Sequence, residues 1–207
     1  MFSFRLCTCP ISGKSIESKK DFWDSPNDPF ETHLLCSNNL IFCKMSTSLK
    51  HLQIKSYTKE IIESSWPVVL TTLSQDGLPM SRAMTNLHGT DRLPEHSKFF
   101  AEQGEWNIFF RTKRSSEKIK QIHQNPRAAV YFCIVSKMAG VDLTGRIEVF
   151  DDHYAKKILW RNEWECFFYG QNDPEYRLLK FHTESLRMFL RLPEAGFENV
   201  NIAIKDL

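Results

Sequence analysis

From residue 47 onward the hydrophobic positions fall into two recognisable periods. Over 47–65, Leu49, Leu52, Ile54, Ile61 and Ile62 lie on one side and polar residues on the other, which predicts a helix. Trp66-Pro67 ends it, because the residue before a proline is pushed out of helical geometry. Val68 to Leu73 is a β-branched run, and Gln75-Asp76-Gly77 after it is a hairpin signal. Residues 78–87 read as the return strand, with Met80, Arg82 and Met84 on one face and Ser81, Ala83 and Thr85 on the other. Residues 88–105 are polar and broken by Gly89, Pro94 and Gly104, predicting a long loop. A third strand follows at 106–112. Ser115 or Ser116 can then cap a short helix with Ile119 and Ile122 as its buried stripe, closed by Asn125-Pro126. Residues 127–135 and 141–150 are strands four and five. Asp151-Asp152 opens a long helix to Phe168, its apolar residues spaced by three and four. Residues 177–182 and 185–192 are expected to close the fold as two further strands. This order predicts a mainly β, α+β domain: a small antiparallel barrel flanked by helices.

Residues 1–44 do not share this order. They hold no sustained period, three of the prolines, and four of the six cysteines: Cys7, Cys9, Cys36 and Cys43. The spacing of these cysteines and His33 is too irregular for a zinc ribbon, so no metal site is expected. The segment is expected to be a poorly ordered extension, with Met45 as a natural start. The domain is thus placed at 45–207.

Composition then removes several classes of function. The 42% hydrophobic and 25% charged residues suit a folded domain. A net charge of +2 gives no argument for a nucleic-acid partner. No apolar run approaches the roughly 18 residues of a spanning helix, and no secretory h-region is present, so no membrane partner and a cytoplasmic location are expected. No G-x-G-x-x-G, P-loop or G-x-S-x-G motif occurs. The histidines are scattered. Cys133 within a strand reads as a small buried apolar residue, and Cys166 has no evident base.

One stretch does carry chemistry. At 111–118 a strand ends in Arg111-Thr112, two serines follow, and a helix starts with Lys118 in its first turn. Backbone N–H groups at a helix start, hydroxyls and nearby cations make an anion site. Arg82 can join them if strands two and three are neighbours. The plainer alternative is that the serines only cap the helix and the charges are solvated.

These pieces, in this order, resemble the pyridoxamine 5′-phosphate oxidase-like flavin-binding split barrels, and most of all their general stress protein subgroup. The resemblance rests on Val68 to Leu73 with Asp76-Gly77-Leu78-Pro79 and Ser81-Arg82-Ala83-Met84. It continues through Ile108 to Thr112, Ser116, Lys118, Asn125-Pro126-Arg127 and Leu143-Thr144-Gly145-Arg146. Trp160, Trp164, Phe167-Phe168 and Asp173-Pro174 resemble the subgroup's helix-and-turn signature. The resemblance implies a six-stranded split barrel that forms a homodimer, with FMN (or FAD) held between the chains. It implies that Arg82 and Lys118 bind the flavin phosphate. Met84, Thr85, Arg111, Thr112 and Ser116 would contact the rest.

Two departures narrow the implied activity. Glu117-Lys118 stands where the oxidase has an Arg-Lys pair, and the chain has no Arg-x-His-x-Arg-like motif near its end. Both argue against pyridoxal phosphate synthesis. The 88–105 stretch is longer than usual for the subgroup and is expected to cover the site or remodel its mouth. The expected function is that of a flavin-dependent oxidoreductase acting on an unknown small substrate, with no catalytic residue assigned. A non-catalytic flavin sensor and a haem-binding barrel are the alternatives.

Overall fold

The computed structural model describes residues 47–89, 93–192 and 196–207, all within the compact unit Met45–Leu207. The expectations for residues 1–44 lie outside the described residues.

Each predicted strand of the first half forms. Helix α1 (Thr47–Ser64) leads into β1 (Val68–Leu73), and the Asp76-Gly77 turn returns the chain as β2 (Pro79–Met84). Gly77 sits at φ +77°, a left-handed conformation that the turn requires and glycine adopts without steric cost. Helix α2 (Pro94–Gln103) precedes β3 (Asn107–Lys113), and α3 (Glu117–Gln124) precedes β4 (Arg127–Ile134). Then come β5 (Ala139–Phe150), α4 (His153–Ile158), β6 (Tyr176–Leu192) and β7 (Gly196–Ala203).

All strand pairs are antiparallel, in the order β2-β1-β4-β5-β6-β3, with β7 added to β6. Strand β6 serves both β3 and β7 along one edge: residues 176–182 pair with β3 and residues 185–192 with β7. Between these halves the register against β5 shifts at Thr144/Gly145, leaving Glu184 as the extra residue of a bulge.

Two apolar clusters explain why the middle strands are so hydrophobic. Ile108 and Phe110 of β3, with Leu179 and Phe181 of β6, face a barrel core that includes Leu70, Val130, Phe132 and Leu143. The alternate residues, Phe109, Tyr176 and Leu178, face outward into a second cluster with Phe99, Phe100, Leu159, Trp164 and Phe168. A strand buried on both faces must read as a continuous apolar run, as Ile108-Phe109-Phe110 does.

Three expectations need correction. The 88–105 stretch is not simply a loop: Pro94 opens α2, Gly104 closes it, and His96, Phe99 and Phe100 are its buried residues. The helix expected over 151–168 stops at Ile158; the chain then runs through one 3₁₀ segment, Asn162–Cys166. Trp160, Trp164 and Phe168 mimic a helical stripe because each packs on Tyr176, with ring centroids 5.3, 6.1 and 5.2 Å away. The two closing strands are one bulged strand, and β7 follows as a seventh, beyond the six that the resemblance implies. No helix of the described residues is long and apolar enough to cross a membrane.

Candidate functional site

Strands β2 and β3 are not hydrogen-bonded neighbours; they are the two ends of the six-strand path. Curvature brings those ends together. At the junction Arg111 Nη2 of β3 donates to Thr85 Oγ1, just past β2, at 3.4 Å. A cavity of about 300 Å³ opens there, its wall including Met84, Thr85, Arg111, Thr112, Ser116 and Lys118. Six of the seven residues named from sequence therefore line one space. The seventh, Arg82, stands beside that wall.

The turn between β3 and α3 is built from hydroxyls and cations. Ser116 is the residue at the start of α3, yet its side chain does not cap the helix. Its hydroxyl lies 3.1 Å from Thr112 Oγ1, and Lys118 Nζ donates to that same Thr112 oxygen at 3.1 Å. The capping alternative is thus not how Ser116 is used. Glu175 secures the outer side of the turn by accepting from the Ser115 amide at 3.1 Å, and it does not line the cavity.

Arg82 is oriented by two residues that the sequence reading passed over. It donates to Thr72 Oγ1 at 2.6 Å and to Gln121 Oε1 at 2.9 Å, while Thr72 donates to the same Gln121 oxygen at 2.5 Å. Thr72 and Gln121 are both buried, at 0% and 5% exposure. Buried polar residues on the inner face of a strand and of a short helix were the available signal, but only their juxtaposition gives them this role.

Arg111 is held differently. Its guanidinium lies 4.9 Å from the centroid of the Trp164 ring and 4.7 Å from that of Phe167, a cation–π sandwich. Its Nε is buried and has no hydrogen-bond partner among the described residues. Phe167 and Phe168 also line the cavity, so the aromatic signature belongs partly to the site and not to the core alone.

The electrostatics are those of crowded, poorly compensated cations. Burial pulls Lys118 below the ordinary lysine value, and the charge of Arg82 pulls it further. Burial lowers Arg82 and Arg111 as well; for Arg111, Cys166, Tyr176 and Glu163 oppose the shift. None of the three forms an ion pair among the described residues. Isolated charges in a low-dielectric pocket are costly, and an anion that meets all three relieves that cost.

Comparison with known proteins bears on the family and the fold. A family model described as pyridoxamine 5′-phosphate oxidase matches residues 54–189. General stress protein 26 of Bacillus subtilis (strain 168) is 26% identical over 117 residues, which are 55% of this chain and 73% of that protein. The crystal structure of a protein related to general stress protein 26 from Clostridium acetobutylicum has a TM-score of 0.59 at 26% identity, covering 74% of this chain and 96% of that one. General Stress Protein 26 from Bacillus anthracis str. Sterne has a TM-score of 0.53 at 20% identity, covering 72% of this chain and 99% of that one; this second likeness bears on the fold alone. The family match runs from α1 into β6 and takes in both ends of the split sheet. This chain belongs to the pyridoxamine 5′-phosphate oxidase family.

Proposed function

We propose that the cavity between β2, β3 and α3 binds the phosphate end of FMN, and that the protein is a cytoplasmic flavin-dependent oxidoreductase acting on a small molecule. The observation that carries this reading is the gathering of Arg82, Arg111 and Lys118 around a space whose lining, among the described residues, contains no carboxylate. The residues fit a phosphate. Lys118 and the Ser116 and Thr112 hydroxyls can donate to its oxygens, and Arg82, fixed by Thr72 and Gln121, adds charge from behind. Met84 and Thr85 would contact the remainder of the flavin, and Arg111, held flat by Trp164 and Phe167, would face it. When bound, the flavin supplies the electron chemistry, and the chain supplies binding, orientation and field. Glu117 beside Lys118 leaves the turn one cation short of the oxidase pair, which weakens its hold on the phosphate. The proposal includes a homodimer with one flavin at each contact between chains: the cavity is open and Phe167 beside it is 51% exposed, which suits a half-site completed by a second copy.

The test is the visible spectrum of the purified protein, which is expected to show flavin bands. Arg82→Ala with Lys118→Ala is expected to lower FMN affinity by at least a hundredfold while the circular dichroism stays unchanged. Wild-type protein that takes up no FMN overturns the reading, and a haem band replaces it with haem binding. One observation favours a sensor without turnover: among the described residues the lining holds no histidine, cysteine or carboxylate to move a proton. Failure of nicotinamide cofactors or dithionite to bleach the bound flavin under anaerobic conditions decides for the sensor.

A further inference from the structure

We infer that the chain carries a second small-molecule site, made by α2 and α1 near the opposite end of β3, that takes a flat aromatic body bearing one anionic group. The site is a cavity of about 420 Å³, within the range of about 300–1,000 Å³ usual for ligand pockets. It exists because of α2, residues 94–103, which lies within the 88–105 stretch expected to be longer than usual for the resembled subgroup.

The walls explain both the shape and the ligand class. On α2, Ser97 and Ala101 are one turn apart, so both face the cavity, and their small side chains leave it open. On α1, Lys55, Lys59 and Glu63 follow at the same spacing and form the opposite wall. The floor is apolar and aromatic: Phe100, Trp106, Ile108 and Ile62. The ring of His88 stacks on Phe100 with centroids 3.9 Å apart. His88 Nε2 accepts the Phe109 backbone N–H at 3.2 Å, which ties this wall to the backbone of β3. A stacked, rigid aromatic floor selects a flat apolar body.

Two lysines and two glutamates line the rim, and their engagement fixes the charge: Glu105 is taken by Lys55 at 3.7 Å, and Glu63 is itself engaged. Lys59 lines the cavity and has no ion pair among the described residues. One uncommitted ammonium above an aromatic floor matches one carboxylate, sulfonate or phosphate on an aromatic ligand. The cavity is separate from the cationic mouth: among the described residues the two share no lining residue.

The experiment is calorimetric titration of the full chain with naphthalene-2-carboxylate, and with the neutral 2-naphthylmethanol as its counterpart. The carboxylate is expected to saturate at one per chain and to bind at least tenfold tighter than the alcohol. Lys59→Glu is expected to weaken the carboxylate at least tenfold. Ala101→Trp, which fills the cavity from an exposed helix position, is expected to abolish it. Far-UV circular dichroism establishes that the tryptophan variant is folded, and Lys59→Glu decides the matter if it is not. The Arg82→Ala, Lys118→Ala chain is expected to bind the probe as wild type does, whether or not the flavin proposal holds. Absence of saturable binding, equal affinity for the two probes, or binding lost only in the Arg82/Lys118 variant overturns the inference.

Discussion

Strand β3 passes beside two cavities, and the contrast between them is instructive. Around Arg111 and Thr112 the wall is built from hydroxyls and cations, and its order comes from hydrogen bonds between side chains. Around Trp106 and Ile108 the wall is aromatic, and its order comes from rings packed on Phe109. The first depends on burying charges that need a partner. The second depends on burying area that needs none. A substitution at one place should therefore leave the other standing, unless it strikes the frame that both share.

The largest separation is expected from Phe109→Ala. Phe109 is fully buried, with Phe99, Phe100 and Phe150 at centroid distances of 5.2, 5.7 and 5.7 Å. Its truncation is expected to cost about 3–5 kcal/mol in urea unfolding and to loosen α2. Phosphate-end binding at Arg82 and Lys118, read by FMN titration below the unfolding transition, should persist. Parallel loss of both cavities would erase the contrast. Gly145→Ala tests the frame itself. A Cβ at Gly145 would run into the His182 carbonyl and crowd the Glu184 amide, both backbone atoms that cannot swing aside. About 3 kcal/mol of destabilisation is expected, with both cavities affected together.

The smallest effect concerns charge alone. Lys118 is lowered by burial and by Arg82, so its ammonium is less favourable in the folded chain than in the unfolded one. Below its folded pKa that penalty is fully present. As pH rises from there toward the ordinary lysine value, the folded state has shed a proton that the unfolded state keeps, and stability increases. Arg82→Met is expected to move the Lys118 titration upward, read by the NMR shift of its ε-carbon. An unmoved titration would mean that burial alone sets it.

The fold class was legible in the sequence, and so was the turn whose residues line one cavity; several of the elements around them were not. The Arg111-to-Lys118 turn was legible because local chain order puts a strand end, two hydroxyls and a helix start within eight residues. The barrel strands were legible where β-branched or two-faced apolar runs left no competing period. Gln121 and Thr72 were hidden, because their value lies in meeting Arg82 from separate elements. Helix α2 was hidden by its polar residues, though Pro94, Gly104 and the spacing of His96, Phe99 and Phe100 are a start, a stop and a buried stripe. The long helix expected to Phe168 failed for the opposite reason. Aromatic residues at helical spacing can meet one ring, Tyr176, without a helix between them. Strand β7 was obscured by Asn199 and Asn201, which interrupt its apolar residues with polar ones, as expected of an edge strand paired on one side only.

The contact between Arg111 and Thr85 has a mechanical consequence. It joins the first and last staves of a path in which each strand otherwise holds only its neighbour. A ligand gripped by Arg82 from one stave and by Arg111 from the other would act as a hoop, resisting the opening of the whole wall. Its grip would register in global unfolding as well as at the site, by about 2.7 kcal/mol at a ligand concentration one hundred times Kd. Loading and emptying would then set how readily the barrel springs apart at its seam.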